Sequence, residues 1–162
     1  WAAVSIRAVA SRCSVSAGTI YNYYESKADL LSDTIESIWH EIFFHPEDEQ
    51  IFHDVETCIS WIYERLEYGN RQFPGFFSLH SFGFMRDEKT SGKKRMMKTW
   101  GHILNGLCEV LGNDPKVRTD VFDQEFTEKK FADILFSLIL VSMIRQDYDP
   151  SSVLMLVKKT LY

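Results

Sequence analysis

The segment that decides the fold is residues 5–24, SIRAVASRCSVSAGTIYNYY, whose pattern predicts two short helices joined by a tight turn. The first helix is predicted over 5–12, and residues 13–15 form the turn. Ser16 can cap a second helix that runs to residue 24. The apolar anchors of the pair are Ile6, Val9, Ala10, Val15, Ile20 and Tyr24. This spacing is typical of a helix-turn-helix unit, although a plain helical hairpin with a polar outer face fits it equally well.

The outer face of the second helix carries short polar and aromatic side chains and no carboxylate. Hydroxyl and amide groups can hydrogen-bond to base edges, and tyrosine hydroxyls can reach phosphates. Ser26 and Asp29 have the spacing of a capping box, which predicts that Ser26 caps the next helix. Lys27 lies at the start of that helix, where its charge and the helix N-terminus could together hold a phosphate. The members of this face are Ser16, Ala17, Thr19, Tyr21, Asn22 and Tyr23. Such a surface can enter a DNA major groove, and the outer face of a plain helical hairpin can have the same composition.

With Ser26-Lys27 and Leu30-Leu31, these residues resemble the DNA-binding signature of TetR-type transcriptional regulators. The resemblance implies a repressor that a small effector releases from a palindromic operator. It places Ser5 and Arg7 at the start of the first groove-facing helix, and it implies that Gly18 allows close approach to DNA. The residues that would face bases are Ser16, Ala17, Thr19 and Asn22, and those that would contact the backbone are Tyr21, Tyr23 and Lys27.

Three features depart from the family pattern. Ser14 occupies a turn position that the family usually fills with glycine, and a left-handed conformation there would cost about 1 kcal/mol. Tyr24 replaces the commoner phenylalanine, which leaves a hydroxyl that needs a partner or solvent. The family helix that precedes Ser5 is absent and the chain opens on Trp1, so we expect the natural chain to be longer by roughly 20–30 residues, about a helix and a leader.

We call the N-terminal helix-turn-helix region the head and the rest of the chain the body. The sequence of 162 residues predicts helices almost throughout, which is an all-α fold. Its 45% hydrophobic content excludes a disordered chain, and its 8 glycines and 4 prolines are too few for the turns of an all-β fold. Apolar periodicity predicts helices over about 26–43, 47–68, 76–86, 91–111, 126–146 and 151–161, and Asp114-Pro115 predicts the start of another short helix. We assign residues 1–44 to a DNA-binding region, with a connecting helix over 26–44, and residues 45–162 to a ligand-binding and dimerisation domain.

The net charge of −5 is unevenly distributed. Residues 1–27 sum to +2 and the remainder to −7, which fits either a nucleic-acid reader on an acidic body or a solvated helix face. The three cysteines (Cys13, Cys58 and Cys108) are odd in number and widely spaced, so we expect a reducing, cytoplasmic setting. No apolar run reaches the roughly 20 residues of a membrane span, so we expect no membrane association.

Aromatic and thioether side chains are unusually dense between the head and the last two helices. Such residues either form ordinary core or enclose an apolar ligand. The resemblance implies an effector pocket, and the scarcity of cations in these segments favours an apolar or aromatic effector over a multiply charged one. The candidate pocket residues are Cys58, Trp61, Phe77, His80, Phe84, Met97, Trp100 and His102.

Residues 131–144 are apolar on nearly every side, so their helix must be covered all round. The cover comes either from the core of a monomer or from a second copy, which with the last helix would form a four-helix, two-fold interface. A homodimer also suits a palindromic operator, which two recognition helices about 34 Å apart can read. The candidate interface residues are Phe131, Leu135, Leu138, Ile139, Val153, Leu154, Val157 and Leu161.

Acid–histidine pairs at i, i+4 are the basis for an alternative, a helical small-molecule or metal-binding protein without a DNA-binding role. The pairs are Glu36/His40, Glu41/His45 and Glu49/His53. Pro46 separates them onto different helices, and the chain has no HExxH, nucleophile elbow, P-loop or GxGxxG motif. We therefore expect no enzyme activity, catalytic residue, metal or cofactor. The expected partners are double-stranded DNA, a small-molecule effector and a second copy of the chain.

Overall fold

The computed structural model describes residues 4–43, 52–77 and 91–162, with only the backbone described for 91–99. Within these residues the chain is all-α, as predicted, and contains no strand. Seven helices have their full extent there: α1 Ile6–Arg12, α2 Ala17–Tyr21, α3 Lys27–Phe43, α4 Val55–Gln72, α5 Ser91–Asn113, α6 Glu128–Arg145 and α7 Ser151–Leu161. The helix predicted over 76–86 is helical at residues 76–77, and its remainder lies outside the described residues.

Side-chain caps fix the starts of the helices that form the head. The Ser5 hydroxyl accepts a hydrogen bond from the backbone N–H of Ala8 at 3.1 Å, and Ser16 does the same for Thr19 at 3.1 Å. Ser26 accepts from the backbone N–H of Asp29 at 3.1 Å. Each cap satisfies a donor that the first turn of a helix leaves without an intrahelical partner. The predicted caps at Ser16 and Ser26 are therefore confirmed.

Two predictions that involve the start of α4 are wrong; in addition, α2 ends at Tyr21 and not at residue 24, and α4 ends at Gln72 and not at residue 68. This helix begins at Val55 and not near residue 47, because Asp54 caps it by accepting from the Thr57 N–H at 2.8 Å. Asp114 opens no short helix, and residues 115–127 are non-helical. Its carboxylate instead accepts from the backbone N–H of Val55 at 3.0 Å and from the Tyr162 hydroxyl at 2.5 Å. Asp114 thus joins the start of α4 to the end of the chain.

The buried apolar side chains form two separate clusters of very different size. The head cluster consists of Ile6, Ala10 and Ile20, with four half-buried neighbours that include Leu30. The body cluster draws on α3 to α7 and contains most of the buried residues. Helix α3 contributes Leu30 to the first cluster and residues such as Trp39 to the second. This helix, about 25 Å long, is therefore the physical link between head and body.

The far end of α3 is held tightly against α4. At Gly69 an added Cβ would lie 2.6 Å from Cδ1 of Ile42 and 3.0 Å from Cζ of Phe77, so a larger residue there would displace these buried side chains. One turn earlier, the Arg65 guanidinium donates to the backbone carbonyls of Ile42 at 2.5 Å and Glu41 at 3.3 Å. These carbonyls belong to the last turn of α3, where they have no intrahelical partner. Arg65 therefore caps α3 from the neighbouring helix.

Candidate nucleic-acid interface and ligand cavity

The turn between α1 and α2 contains a residue in the left-handed region. Ser14 has φ 55°, which is the left-handed conformation for which the sequence predicts an energetic cost at this position. The turn is closed by the backbone N–H of Val15, which donates to the Ala10 carbonyl at 3.0 Å. A side chain in this conformation costs about 1 kcal/mol relative to glycine. The departure from the family pattern at Ser14 is therefore a point of backbone strain.

The residues predicted to contact DNA, which we call the reading face, are mostly exposed, and the two tyrosines are the most exposed large side chains among them. Tyr21 is 56% exposed and Tyr23 is 78% exposed, which is unusual for large aromatic side chains. The other exposed members are Ser5, Arg7, Ser16, Gly18, Thr19 and Asn22. Ala17 is half-buried and packs against the head cluster, and Lys27 is half-buried in the first turn of α3.

Three hydroxyls predicted to contact DNA, those of Ser5, Ser16 and Thr19, already have partners within the chain. Ser16 accepts the Thr19 N–H, and its Oγ also lies 2.9 Å from the Oγ1 of Thr19. The Ser5 hydroxyl is likewise used as a cap. The exposed polar group at the end of α2 is the Asn22 amide, since Asn22 is the C-cap residue of that helix.

Among the residues that the structure describes, none requires glycine at position 18 for steric reasons. An added Cβ there would meet only Oγ of Ser16, at 3.5 Å, which is an ordinary van der Waals contact. Alanine would also favour the helix by about 1 kcal/mol. The described neighbours of Gly18 therefore leave room for a larger residue at this exposed position.

The Tyr24 hydroxyl, which lacked an evident partner in the sequence, donates to Oδ2 of Asp33 on α3 at 2.9 Å. This hydrogen bond to a carboxylate, together with partial desolvation, raises the pKa of Tyr24. The bond ties the segment after α2 to the connecting helix.

A cavity of about 330 Å³ lies in the body, between the end of α3, α4 and α5. Of the predicted pocket residues, Cys58, Trp61 and His102 line it. Phe77 belongs instead to the core, beside Trp39 and Phe76, and the Trp100 ring packs edge-on against Phe136. The side chains of His80, Phe84 and Met97 lie outside the described residues. The lining residues that sequence reasoning missed are Phe43, Phe52, Ile62, Ile103, Gly106, Leu107 and Glu109.

The wall of this cavity is aromatic and apolar. The Trp61 ring meets Phe43 and Phe52 edge-to-face, each at a centroid distance of 5.9 Å. Burial raises the pKa of the Cys58 thiol to about 12, so the thiol is protonated at neutral pH. Among the lining residues, His102 and Glu109 are the ionisable side chains that are exposed, and both come from α5. The cavity therefore offers an apolar interior with polar groups at its rim.

The predicted dimer face needs correction, because six of its eight residues face the core of their own chain. The buried six are Phe131, Leu135, Ile139, Val153, Val157 and Leu161, while Leu138 and Leu154 are half-buried. A helix that is apolar all round must be covered on every face. The buried face of α6 is covered by neighbouring helices of the same chain. The apolar side chains left exposed on α6 and α7 are Ile134, Val141, Ile144, Met155 and Leu156.

Two further findings concern other kinds of site. In the described ranges, no three histidine, cysteine or acidic side chains come close enough together to hold a metal ion. None of the helices in those ranges combines the length and apolar character needed to cross a membrane.

Comparison with known proteins places the head in a family. Residues 1–34 match the family model for bacterial regulatory proteins of the tetR family, and they include α1, α2 and the first part of α3. The match spans 34 of the 162 residues. No curated protein and no solved structure matches the chain. Residues 1–34 are therefore similar to the N-terminal domain of the tetR family of bacterial regulatory proteins, a similarity that supports a DNA-binding transcriptional regulator.

Proposed function

We propose that this chain is a homodimeric repressor that binds a palindromic operator and is released from it by a small apolar effector. The observation that carries the proposal is the double role of α3. Its first turns pack in the head cluster through Leu30, and its last residue, Phe43, lines the body cavity. A molecule in that cavity therefore contacts the same helix that positions the reading face.

In this proposal the reading face divides its work between bases and backbone. The Thr19 hydroxyl and the Asn22 amide face base edges, where such groups distinguish sequences. Arg7, Tyr21 and Tyr23 contact phosphates, and Lys27 adds its charge at the N-terminus of α3. Gly18 lets the backbone of α2 approach the DNA closely. The remaining members, Ser5, Ser16 and Ala17, shape the face, since their own groups cap helices or pack on the head cluster.

We place the dimer interface on the exposed apolar surface of α6 and α7. Ile134, Leu138 and Val141 recur at i, i+4 and i+7 along α6, which sets them on one helical stripe. Met155, which is 58% exposed, and Leu156 supply the apolar surface of α7. Two copies joined there form a four-helix contact with two-fold symmetry, which matches the symmetry of a palindrome.

The effector and the operator oppose each other through reciprocal coupling. If the filled cavity favours one position of α3 and DNA favours another, each ligand weakens the other by the same factor. The head is small and packs on the first turns of α3, so a small rotation of this helix changes the distance between the reading faces of the two copies.

The test is a selection of bound sequences from a randomised duplex pool, carried out with the full chain at two salt concentrations. We expect a palindrome whose half-sites lie about 10 base pairs apart. It should be bound less tightly at higher salt, because binding releases counterions from the DNA and this release is less favourable when the salt concentration is high. Recovery of no common sequence would overturn the proposal. If the chain still binds small apolar molecules in that case, the alternative of a ligand-binding protein without a DNA role is favoured.

Point variants test the division between bases and backbone. Tyr21→Phe and Lys27→Ala should weaken binding to all duplexes by similar factors, whereas Thr19→Val and Asn22→Ala should change which sequence is selected. Lys129→Ala is the matched control, because Lys129 is an exposed lysine on α6, outside the head. Identical behaviour of all four head variants would contradict the division.

A further inference from the structure

Gly106 is the one glycine among the residues that line the cavity. It lies in the interior of α5, where glycine weakens a helix relative to alanine. Close packing does not explain the choice, since an added Cβ would meet no atom of the described residues within 4 Å. The space in front of Gly106 is therefore part of the cavity and not an accommodation of a neighbouring side chain.

Gly101, on the same helix, provides a direct comparison. An added Cβ there also meets nothing in the described part of the chain within 4 Å, but Gly101 does not line the cavity. The two glycines therefore share helix, half-burial and local space, and they differ in their relation to the cavity.

The size and wall of the cavity limit what it can hold. An apolar cavity of roughly 150 Å³ accommodates benzene, so the volume of about 330 Å³ suits a molecule of about two fused rings. The edge-to-face contacts of Trp61 with Phe43 and Phe52 present ring surfaces on which a flat aromatic molecule can pack.

The charge of the wall adds a second limit. Glu109 contributes a carboxylate, and none of the described lining residues is a lysine or arginine. A carboxylate ligand would lose hydration on entry and meet a like charge, with no lysine or arginine among the described lining residues to offset either effect. An uncharged ligand meets neither penalty.

We infer that Gly106 is the residue that sets the size of the cavity, and that the cavity takes an uncharged, planar aromatic molecule of about two fused rings. This inference rests on the proposed function, because it names the class of the effector. A side chain at position 106 would occupy the space that the second ring of such a ligand needs.

The test is calorimetric titration of the full chain with three probes: indole, the anion indole-3-acetate, and 1-adamantanol, which is uncharged and apolar but globular. We expect indole to bind, and the other two to bind at least about tenfold more weakly. Equal binding of the anion would overturn the charge limit, and equal binding of 1-adamantanol would overturn the planar class.

Variants at the two glycines test the role of Gly106. Gly106→Ala should weaken indole binding and Gly106→Leu should abolish it, while Gly101→Ala and Gly101→Leu should bind indole like the unaltered chain. Circular dichroism and Tm verify that each variant is folded, and the alanine pair decides the matter if a leucine variant fails to fold. Unchanged indole affinity in folded Gly106→Ala and Gly106→Leu would overturn the inference.

The selection of an operator requires no ligand, and the indole titration requires no DNA. Failure of indole to bind a chain that selects a palindrome therefore refutes the ligand class alone. Failure of the selection refutes the proposed function, whichever probe binds.

Discussion

The head and the body of this chain are stabilised in different ways. In its described part, residues 4 onward, the head has three buried apolar residues, Ile6, Ala10 and Ile20, and relies on helix caps and on its contact with α3. The body has a continuous core that includes side chains with no exposed surface, such as Leu66 and Leu135. Substitutions in the body should therefore act on global unfolding, whereas substitutions in the head should act first on DNA binding.

The largest effect is expected at the centre of the body. Leu135→Ala removes a side chain that is fully buried on α6, and such a cavity lowers the free energy of unfolding by about 2–5 kcal/mol. Denaturant unfolding measures the change. Leu135→Met, which keeps the volume, should cost less than about 1.5 kcal/mol. Equal losses for the two variants would mean that Leu135 is not packed as described.

The same truncation in the head should separate DNA binding from global stability. Ile20→Ala removes one of the three buried side chains of the head cluster, so α2 loses its apolar packing against α1. We expect operator affinity to fall about tenfold or more, the equivalent of about 1.4 kcal/mol, with little change in the main unfolding transition. Anisotropy titration and thermal unfolding of one preparation measure both. A large drop in Tm would show that head and body unfold as one unit.

A polar junction in the body should have an intermediate effect. Asp114→Ala removes the acceptor for the Val55 N–H and the Tyr162 hydroxyl, and buried donors without partners cost about 1–3 kcal/mol. Thermal unfolding measures the loss. Tyr162→Phe is the matched control, since it removes one of these hydrogen bonds and leaves the cap on Val55. If Tyr162→Phe costs as much as Asp114→Ala, the contact with α4 contributes nothing.

The smallest effect is a gain in the head. Ser14→Gly relieves the left-handed conformation at φ 55° and should stabilise the α1–α2 turn by about 1 kcal/mol. Hydrogen exchange of head amides should slow, while body amides exchange as before. Gln146→Gly is the matched control in the body, because Gln146 also has φ 55°. Faster head exchange in Ser14→Gly would contradict the strain assigned to Ser14.

The same contrast explains what could be predicted from the sequence. The head follows from signals within a few residues, and the caps at Ser16 and Ser26 were predicted because a hydroxyl three residues before its donor is a local pattern. The start of α4 has a local signal in the Asp54 cap, but it also depends on Asp114, which is 59 residues distant from Val55. No periodicity in one segment reveals such a partner.

The cavity and the exposed face of α6 were harder to predict from the sequence than the head, because both depend on how the helices pack against each other. Phe43 and Phe52 reach the cavity only because α3 ends beside α4, which is a property of packing. Residues 131–144 of α6 are apolar on nearly every side, so the pattern cannot separate buried Leu135 from exposed Ile134. The choice between the two faces is made by the neighbouring helices.

The central claim is that the head reads a DNA sequence, and one measurement tests it most directly. Anisotropy titrations compare the full chain on its selected duplex and on a scrambled duplex of the same composition, over a range of salt concentrations. We predict that the selected duplex binds about a thousandfold more tightly or better, and that affinity for both duplexes falls as salt rises. Equal affinity for the two duplexes at every salt concentration would contradict the claim.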